Sequence, residues 1–333
     1  MERAANTRSL EVCCIQARRA RISALLGPMH EPSLFNPMLY DLVAKYAPSR
    51  LYEVNQTLFG ALTTDEPFWG IYEKVDCPTC GRDLHVLLMD AQMIMVIDQL
   101  TRQLYDLLDT KCGDELRFVK ATPDQRARAA RILAHTVFRT GKSPMIHTLP
   151  APGERTQAWL TEAMRLAYVF TIVHETSHQG PQSALGASSF IPQVAPALAG
   201  AALYGLTLDS NQALCWAKEL WADVNACLII VADSLRSGLR DDARPQWYQA
   251  LIAGVGLALK AWDLMLDEFC YGNAYLSRSL LRTHPPARWR IEYLTRSSQV
   301  WQRLGVISGD RLWADRIMDA LGDLHQLEGR NST

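Results

Sequence analysis

An excess of charge of either sign is absent from this sequence. Its 34 Lys and Arg face 35 Asp and Glu across 333 residues, for a net charge of −1. That balance excludes the broad electrostatic attraction that gathers basic proteins on nucleic acid or anionic membranes, so no nucleic-acid partner is expected. Internal repeats and low-complexity tracts are missing too, which excludes solenoid architectures. The opening stretch, MERAANTRSLEVCCIQARRARISALLG, has no apolar run followed by a small-residue cleavage site. The expected compartment is therefore the reducing cytoplasm. There the eight cysteines, at 13, 14, 77, 80, 112, 215, 227 and 270, read as thiols or metal ligands and not as disulfides.

What is present is the composition of a globular chain with a sizeable core: 48% apolar and 21% charged residues. Helical spacing dominates. Residues 1–27 fit a helix closed by Gly27-Pro28, and a shorter one fits 38–46. The pattern over 50–62 is ambiguous. Residues 68–75 are rich in aromatic and β-branched side chains and read as a strand, with 84–89 returning as its hairpin partner. Between them lies Cys77-Pro78-Thr79-Cys80-Gly81. This is either one half of a structural zinc knuckle at Cys77/Cys80 or a tight turn that holds two thiols. No second CxxC completes a four-ligand site. Helices are expected at 90–109, at 124–139 behind a Thr122-Pro123 start signal, at 158–178, 211–237, 247–269, 288–304 and 309–327. Pro144, Pro150, Pro152 and Gly153 mark a linker. A boundary near 150 would separate an N-terminal helical region, 1–150, from a second region, 151–333. The expected fold class is mainly α, with a small β-hairpin in the N-terminal half.

The chemistry converges on His174-Glu175-Thr176-Ser177-His178. Residues four apart on a helix share a face, so the two imidazoles can grip one metal ion. Glu175 beside them is placed to act on a metal-bound water. Trp159, Ala163, Leu166, Ala167, Phe170 and Val173 give the preceding segment an apolar face at helical spacing. Gly180-Pro181 then reads as a stop, which puts both histidines on the last turn.

A catalytic zinc takes three protein ligands and keeps one position open. The third candidate is Glu219, with Asp223 one turn later on the same face. Asp223 is a candidate to accept the second N–H of His174 or of His178 and so orient the ring. The two acids also fit the polar edge of an amphipathic helix. Yet that helix is otherwise apolar, through Leu214, Trp216, Leu220, Trp221 and Val224, and acids there need a cation. The uncharged run 190–208 is long enough to cross a bilayer. Pro192, Gln193 and Pro196 interrupt it, and ligands on either side of it must lie on one side of any membrane. It reads as a buried or groove-lining segment, and no transmembrane segment is expected.

HExxH, the later Glu219-Leu220-Trp221-Ala222-Asp223 and the downstream His284-Pro285-Pro286-Ala287-Arg288-Trp289-Arg290-Ile291 together resemble the gluzincin metallopeptidases, specifically the M48 peptidases with their HPPxxxRI element. The resemblance covers about residues 158–295. It implies a helical zincin-type core, a catalytic zinc on His174, His178 and Glu219, a general base at Glu175 and an orienting acid at Asp223. It further implies a transition-state donor at His284 and a brace for the acids at Arg290. From the residues alone, His284 also fits a loop position before a Pro-Pro break, and Arg290 a plain salt bridge. M48 enzymes often carry membrane spans around the metal helix, and these are missing here. The region before 150 matches nothing in the pattern.

The expected function is zinc-dependent cleavage of a protein or peptide substrate by activated water. Two alternatives share the same residues: a conditional toxin or anti-phage effector protease with a sensing N-terminal region, and a non-catalytic sensor ordered by zinc.

Overall fold

The computed structural model describes residues 29–30, 57–64, 70–77, 82–109, 117–138, 155–178, 191–240, 243–270, 283–296 and 311–325. The helices read at 1–27 and 38–46, the Cys80 thiol, the linker prolines and the turn after His178 lie outside them. Among the described residues the protein is mainly α, with eight helices. They are α1 (Ala91–Leu107), α2 (Pro123–Phe138), α3 (Arg155–Ser177), α4 (Ile191–Leu203), α5 (Ser210–Arg236), α6 (Arg244–Phe269), α7 (Ala287–Arg296) and α8 (Arg311–Leu324).

Among the described residues, four strands come before these helices: β1 (Met29–His30), β2 (Thr57–Thr64), β3 (Gly70–Cys77) and β4 (Arg82–Asp90), in the order β1-β2-β4-β3. β3 pairs antiparallel with β4, from Gly70 opposite Met89 to Cys77 opposite Arg82. β2 pairs parallel with β4, Thr57 opposite His85, and antiparallel with β1. Local pattern did not disclose β2. Its sequence, TLFGALTT, alternates poorly, and its partner β4 lies beyond β3 in the chain. β4 runs straight into α1, whose first turn is capped by the Asp90 carboxylate accepting from the Gln92 N–H at 2.7 Å.

Start and stop signals behave as the chemistry requires. Thr122 and Gln125 form a reciprocal box at the front of α2, with N–H to oxygen distances of 3.3 and 2.9 Å. Asp209 and Gln212 do the same for α5. At the far end of α5, Gly238 takes φ +87, and the N–H groups of Gly238 and Leu239 bond back to the carbonyls of Leu235 and Ser234. That left-handed closure is a conformation glycine adopts without a Cβ clash. Pro245 lies in the first turn of α6, where its missing N–H costs nothing.

The centre of the assembly is α6. Residues Leu251 to Leu259 are all buried, because a helix apolar on every side must be surrounded. By length and composition α6 is able to cross a bilayer, but 78% of that stretch is buried inside the protein. α3 packs along it with little space. A Cβ at Gly254 would stand 2.9 Å from the Ala167 nitrogen and closer still to the Ala163 carbonyl oxygen. One core cluster runs from Met93 on α1 through Leu166 and Ala258 to Leu321 on α8. Of the two readings of the 190–208 run, buried or groove-lining, full burial does not hold. The run forms α4 despite the internal Pro196, and only one side is covered, through Ala197 and Ala201 against Trp216, Leu220 and Trp289. Leu198, Leu203 and Tyr204 face outward, at 45, 70 and 45% exposure.

Candidate metal centre

The apolar pattern that made α3 a helix also sinks its C-terminal end into the core. Phe170 and Val173 are fully buried, and His174 and Glu175 are 0 and 7% exposed. α3 closes one residue earlier than the sequence suggested. Ser177 is its last residue and His178 is a turn residue, its N–H bonding the Glu175 carbonyl at 3.2 Å. The chain between His174 and His178 is otherwise held by Thr176 and Ser177, whose hydroxyls donate to the Val173 carbonyl at 2.9 and 2.7 Å. Asn225 of α5 donates to the Ser177 hydroxyl at 3.1 Å, tying the end of α3 to its neighbour.

This closure brings the two imidazoles together. Their Nε2 atoms are 3.1 Å apart and their rings meet edge to face at 4.7 Å. Across from them, Glu219 on α5 presents Oε2 to His174 Nε2 at 3.4 Å and Oε1 to His178 Nε2 at 3.5 Å. Donor atoms on a tetrahedral ion with bonds of about 2.0–2.1 Å stand roughly 3.3 Å from one another. The three observed edges bracket that value. His174, Glu175 and His178 also place a ligand atom each within 4.8 Å of one another, and this group can hold a metal ion. Glu219, whose oxygens face both Nε2 atoms, fits as the third ligand, which leaves Glu175 free to act as a base.

The tautomer of His174 follows from its other contact. Its Nδ1 lies 2.9 Å from Asp223 Oδ1. A carboxylate only accepts, so a proton on Nδ1 suits this contact, and a metal ion at Nε2 would take the lone pair of the neutral ring. Of the two histidines open to Asp223 in the sequence, it is His174 that it orients. Asp223 is fully buried and also receives Arg290 as a fork, with Nε to Oδ2 at 2.8 Å and Nη2 to Oδ1 at 2.7 Å. The same Nη2 stands 3.3 Å from Glu219 Oε2. Arg290 is fully buried, so its charge is answered inside the protein.

The electrostatics divide the groups into distinct states. Burial works against a charged His174, yet the hydrogen bonds and charges of Asp223 and Glu219 outweigh it and push the ring up to about 9. Burial carries His178 the other way, down to about 4, with the charges of His174 and Arg290 assisting against Glu219. Burial pushes Glu175 up to about 8, helped by the negative Glu219. For Glu219 and Asp223 burial also favours the neutral acid, but the cations overrule it. His178, His174 and Arg290 hold Glu219 well below the usual carboxylate range, and Arg290 with His174 holds Asp223 low. Two carboxylates stay ionised in a buried place, and a third is tuned near neutrality.

His284 stands at the head of α7. Its Nδ1 is 2.9 Å from the Thr283 hydroxyl, and its ring lies 6.0 Å from that of Trp262 on α6. Cys77 ends β3 opposite Arg82, while Cys80 falls outside the described residues. Sequence reading missed Asn225 and Asp263. The latter, on α6, accepts the Ala287 N–H at 3.0 and 3.3 Å with its two oxygens. The one available signal was negative. Pro285 and Pro286 in front of α7 carry no side-chain oxygen, so any cap had to come from elsewhere. Compared with known proteins, the chain matches no family model, no curated protein and no solved structure.

Proposed function

We propose that the protein is a zinc-dependent endopeptidase that hydrolyses a protein or peptide substrate. The observation that carries this reading is the convergence of two imidazoles and a carboxylate: the Nε2 atoms of His174 and His178 are 3.1 Å apart, and each faces one oxygen of Glu219, at 3.4 and 3.5 Å. The donor set, two imidazoles and a carboxylate, suits zinc in a site that keeps a position open. The resemblance to M48 peptidases supports it from the sequence side.

A zinc ion held there would polarise both a water molecule and the scissile carbonyl. The chain's own residues do the rest. His174 is fixed in its tautomer by Asp223, which is in turn fixed by Arg290. Glu175, beside both imidazoles on the last turn of α3, would accept a proton from the attacking water and deliver it to the leaving amine. His284 is the candidate donor to the oxyanion, in keeping with its place before Pro285-Pro286.

The test is Glu175→Gln. Zinc content should stay at one ion per chain, measured by metal analysis. Hydrolysis of a quenched-fluorescent peptide library should fall by roughly 10²–10⁴-fold, the usual worth of a positioned base. Unchanged cleavage by the variant would sink the mechanism.

A further inference from the structure

α7 delivers Arg290 to the metal centre, yet its own sequence contains nothing to anchor its start. It is a ten-residue helix preceded by Pro285 and Pro286. Neither proline has a side-chain acceptor for the first free N–H groups, and the exposed end of the helix dipole is positive. The acceptor comes from a different helix, 24 residues back. Asp263 on α6 receives the Ala287 N–H at 3.0 and 3.3 Å. Its neighbour Trp262 lies against His284 of the same segment.

The rest of α7 is seated through close approaches. A Cβ at Gly200 would collide with the Trp289 indole, and one at Gly256 would stand 3.1 Å from the Ile291 side chain. These contacts fix the roll of α7 against α4 and α6. They are apolar and leave sliding along the helix axis weakly opposed. The Asp263 bond lies at the end of the helix, where it opposes that sliding. Arg290 is three residues along from Ala287, and its own N–H bonds the Pro286 carbonyl at 3.1 Å. A shift of α7 therefore passes directly to a guanidinium that must meet Asp223 at 2.7 and 2.8 Å.

We propose that Asp263 is a positioning residue for the metal centre. It caps α7 from α6 and so sets where Arg290 meets Asp223 and Glu219. The proposal rests on the metal-site reading above, and it does not require that the bound metal performs hydrolysis.

The experiment is zinc affinity of the full chain, by competition with a chromophoric chelator at neutral pH, alongside circular dichroism to verify folding. Asp263→Ala should bind zinc at least about tenfold more weakly, as loss of a residue supporting metal ligands commonly does. Asp263→Asn keeps an acceptor oxygen and should stay within about threefold of the unaltered protein. A merely structural cap would lower the melting temperature of Asp263→Ala and leave affinity unmoved. A folded Asp263→Ala with unchanged affinity overturns the proposal, and so does an Asp263→Asn as weak as Asp263→Ala. If Asp263→Ala does not fold, Asp263→Ser replaces it, with its shorter neutral arm, and should lose at least about threefold; unchanged affinity there overturns the proposal equally. Failure of the unaltered protein to bind zinc defeats the proposed function and this proposal together. Zinc binding without peptide cleavage defeats only the proposed hydrolysis, and the affinity comparison still decides the role of Asp263.

Discussion

Toward its N-terminal half, α3 meets α6 through Ala163 and Ala167 against Gly254. Toward its C-terminal end it meets α5 through His174 on Asp223 and Ser177 on Asn225. The first contact is apolar, close and without direction. Its energy comes from dispersion and from excluding water, and it depends on shape. The second is made of charges and hydrogen bonds whose worth depends on angle and distance. Each compensates for what the other lacks. Apolar packing sets shape without aiming any polar atom, whereas buried charges are stable only if their partners are already in place. A helix immobilised along one part of its length can therefore present ordered polar groups at its end.

Three measurements test that contrast. The largest effect is expected from Arg290→Met. It leaves Asp223 buried without its fork, and loss of one partner of a buried pair costs about 3–5 kcal/mol. Chemical unfolding should register that loss, and zinc affinity should fall with it. A stability loss with affinity unchanged would show that the α5 contact is structural only.

Gly254→Ala comes next. The added methyl meets the backbone of α3, which cannot rotate away as a side chain can, so overpacking of about 1–3 kcal/mol is expected. Once saturated with metal, the variant should bind zinc within about threefold of the unaltered protein, because no charged partner has been removed. A large affinity loss would mean that the two contacts are coupled and not divided in role.

The smallest effect concerns Asp263. Burial raises its carboxyl to about 6, against the lowering influence of Lys260, the Ala287 N–H and Arg290; Asp267 pushes it further up. The sign follows from linkage. Between about pH 4 and 6 the native state holds a proton that the unfolded chain has released, so the contribution of Asp263 to stability declines as pH rises through that window. Asp263→Asn abolishes the titration. Its stability relative to the unaltered protein should thus improve from pH 4 to pH 7 in urea unfolding series. A parallel pair of curves would contradict the raised value.

Much of this was legible because it is local. His174 and His178 are four apart, Glu219 and Asp223 likewise, and the apolar spacing of α3, α5 and α6 reports their buried faces directly. Thr122-Pro123 announced a helix start through backbone requirements that few residues satisfy. The pairing of Glu219 with both imidazoles is not local. It came into view because two acids on an otherwise apolar helix call for a cation, and the family resemblance pointed the same way. Nothing in the sequence connected Asp263 with Ala287, since an aspartate among apolar residues of a helix has many prospective partners. β2 escaped for the same reason, its register being set by a strand outside its own neighbourhood. The outward side of α4 shows a further gap. Composition left 190–208 as either buried or groove-lining, because a run without charge does not reveal which of its faces the fold covers.

The enclosure of α6 has a consequence for how the molecule opens. This helix packs against α1, α2, α3, α7 and α8. Its middle, Leu251 to Leu259, has no surface from which fraying can begin. Local fluctuations can expose the ends of peripheral helices, but to expose these amides the surrounding helices must separate together. Amide hydrogens in the centre of α6 should accordingly be the last to exchange with solvent, at a rate governed by global unfolding. The helix that most resembles a membrane span would thus serve as the marker of the cooperative unit, with the other helices as its solvent.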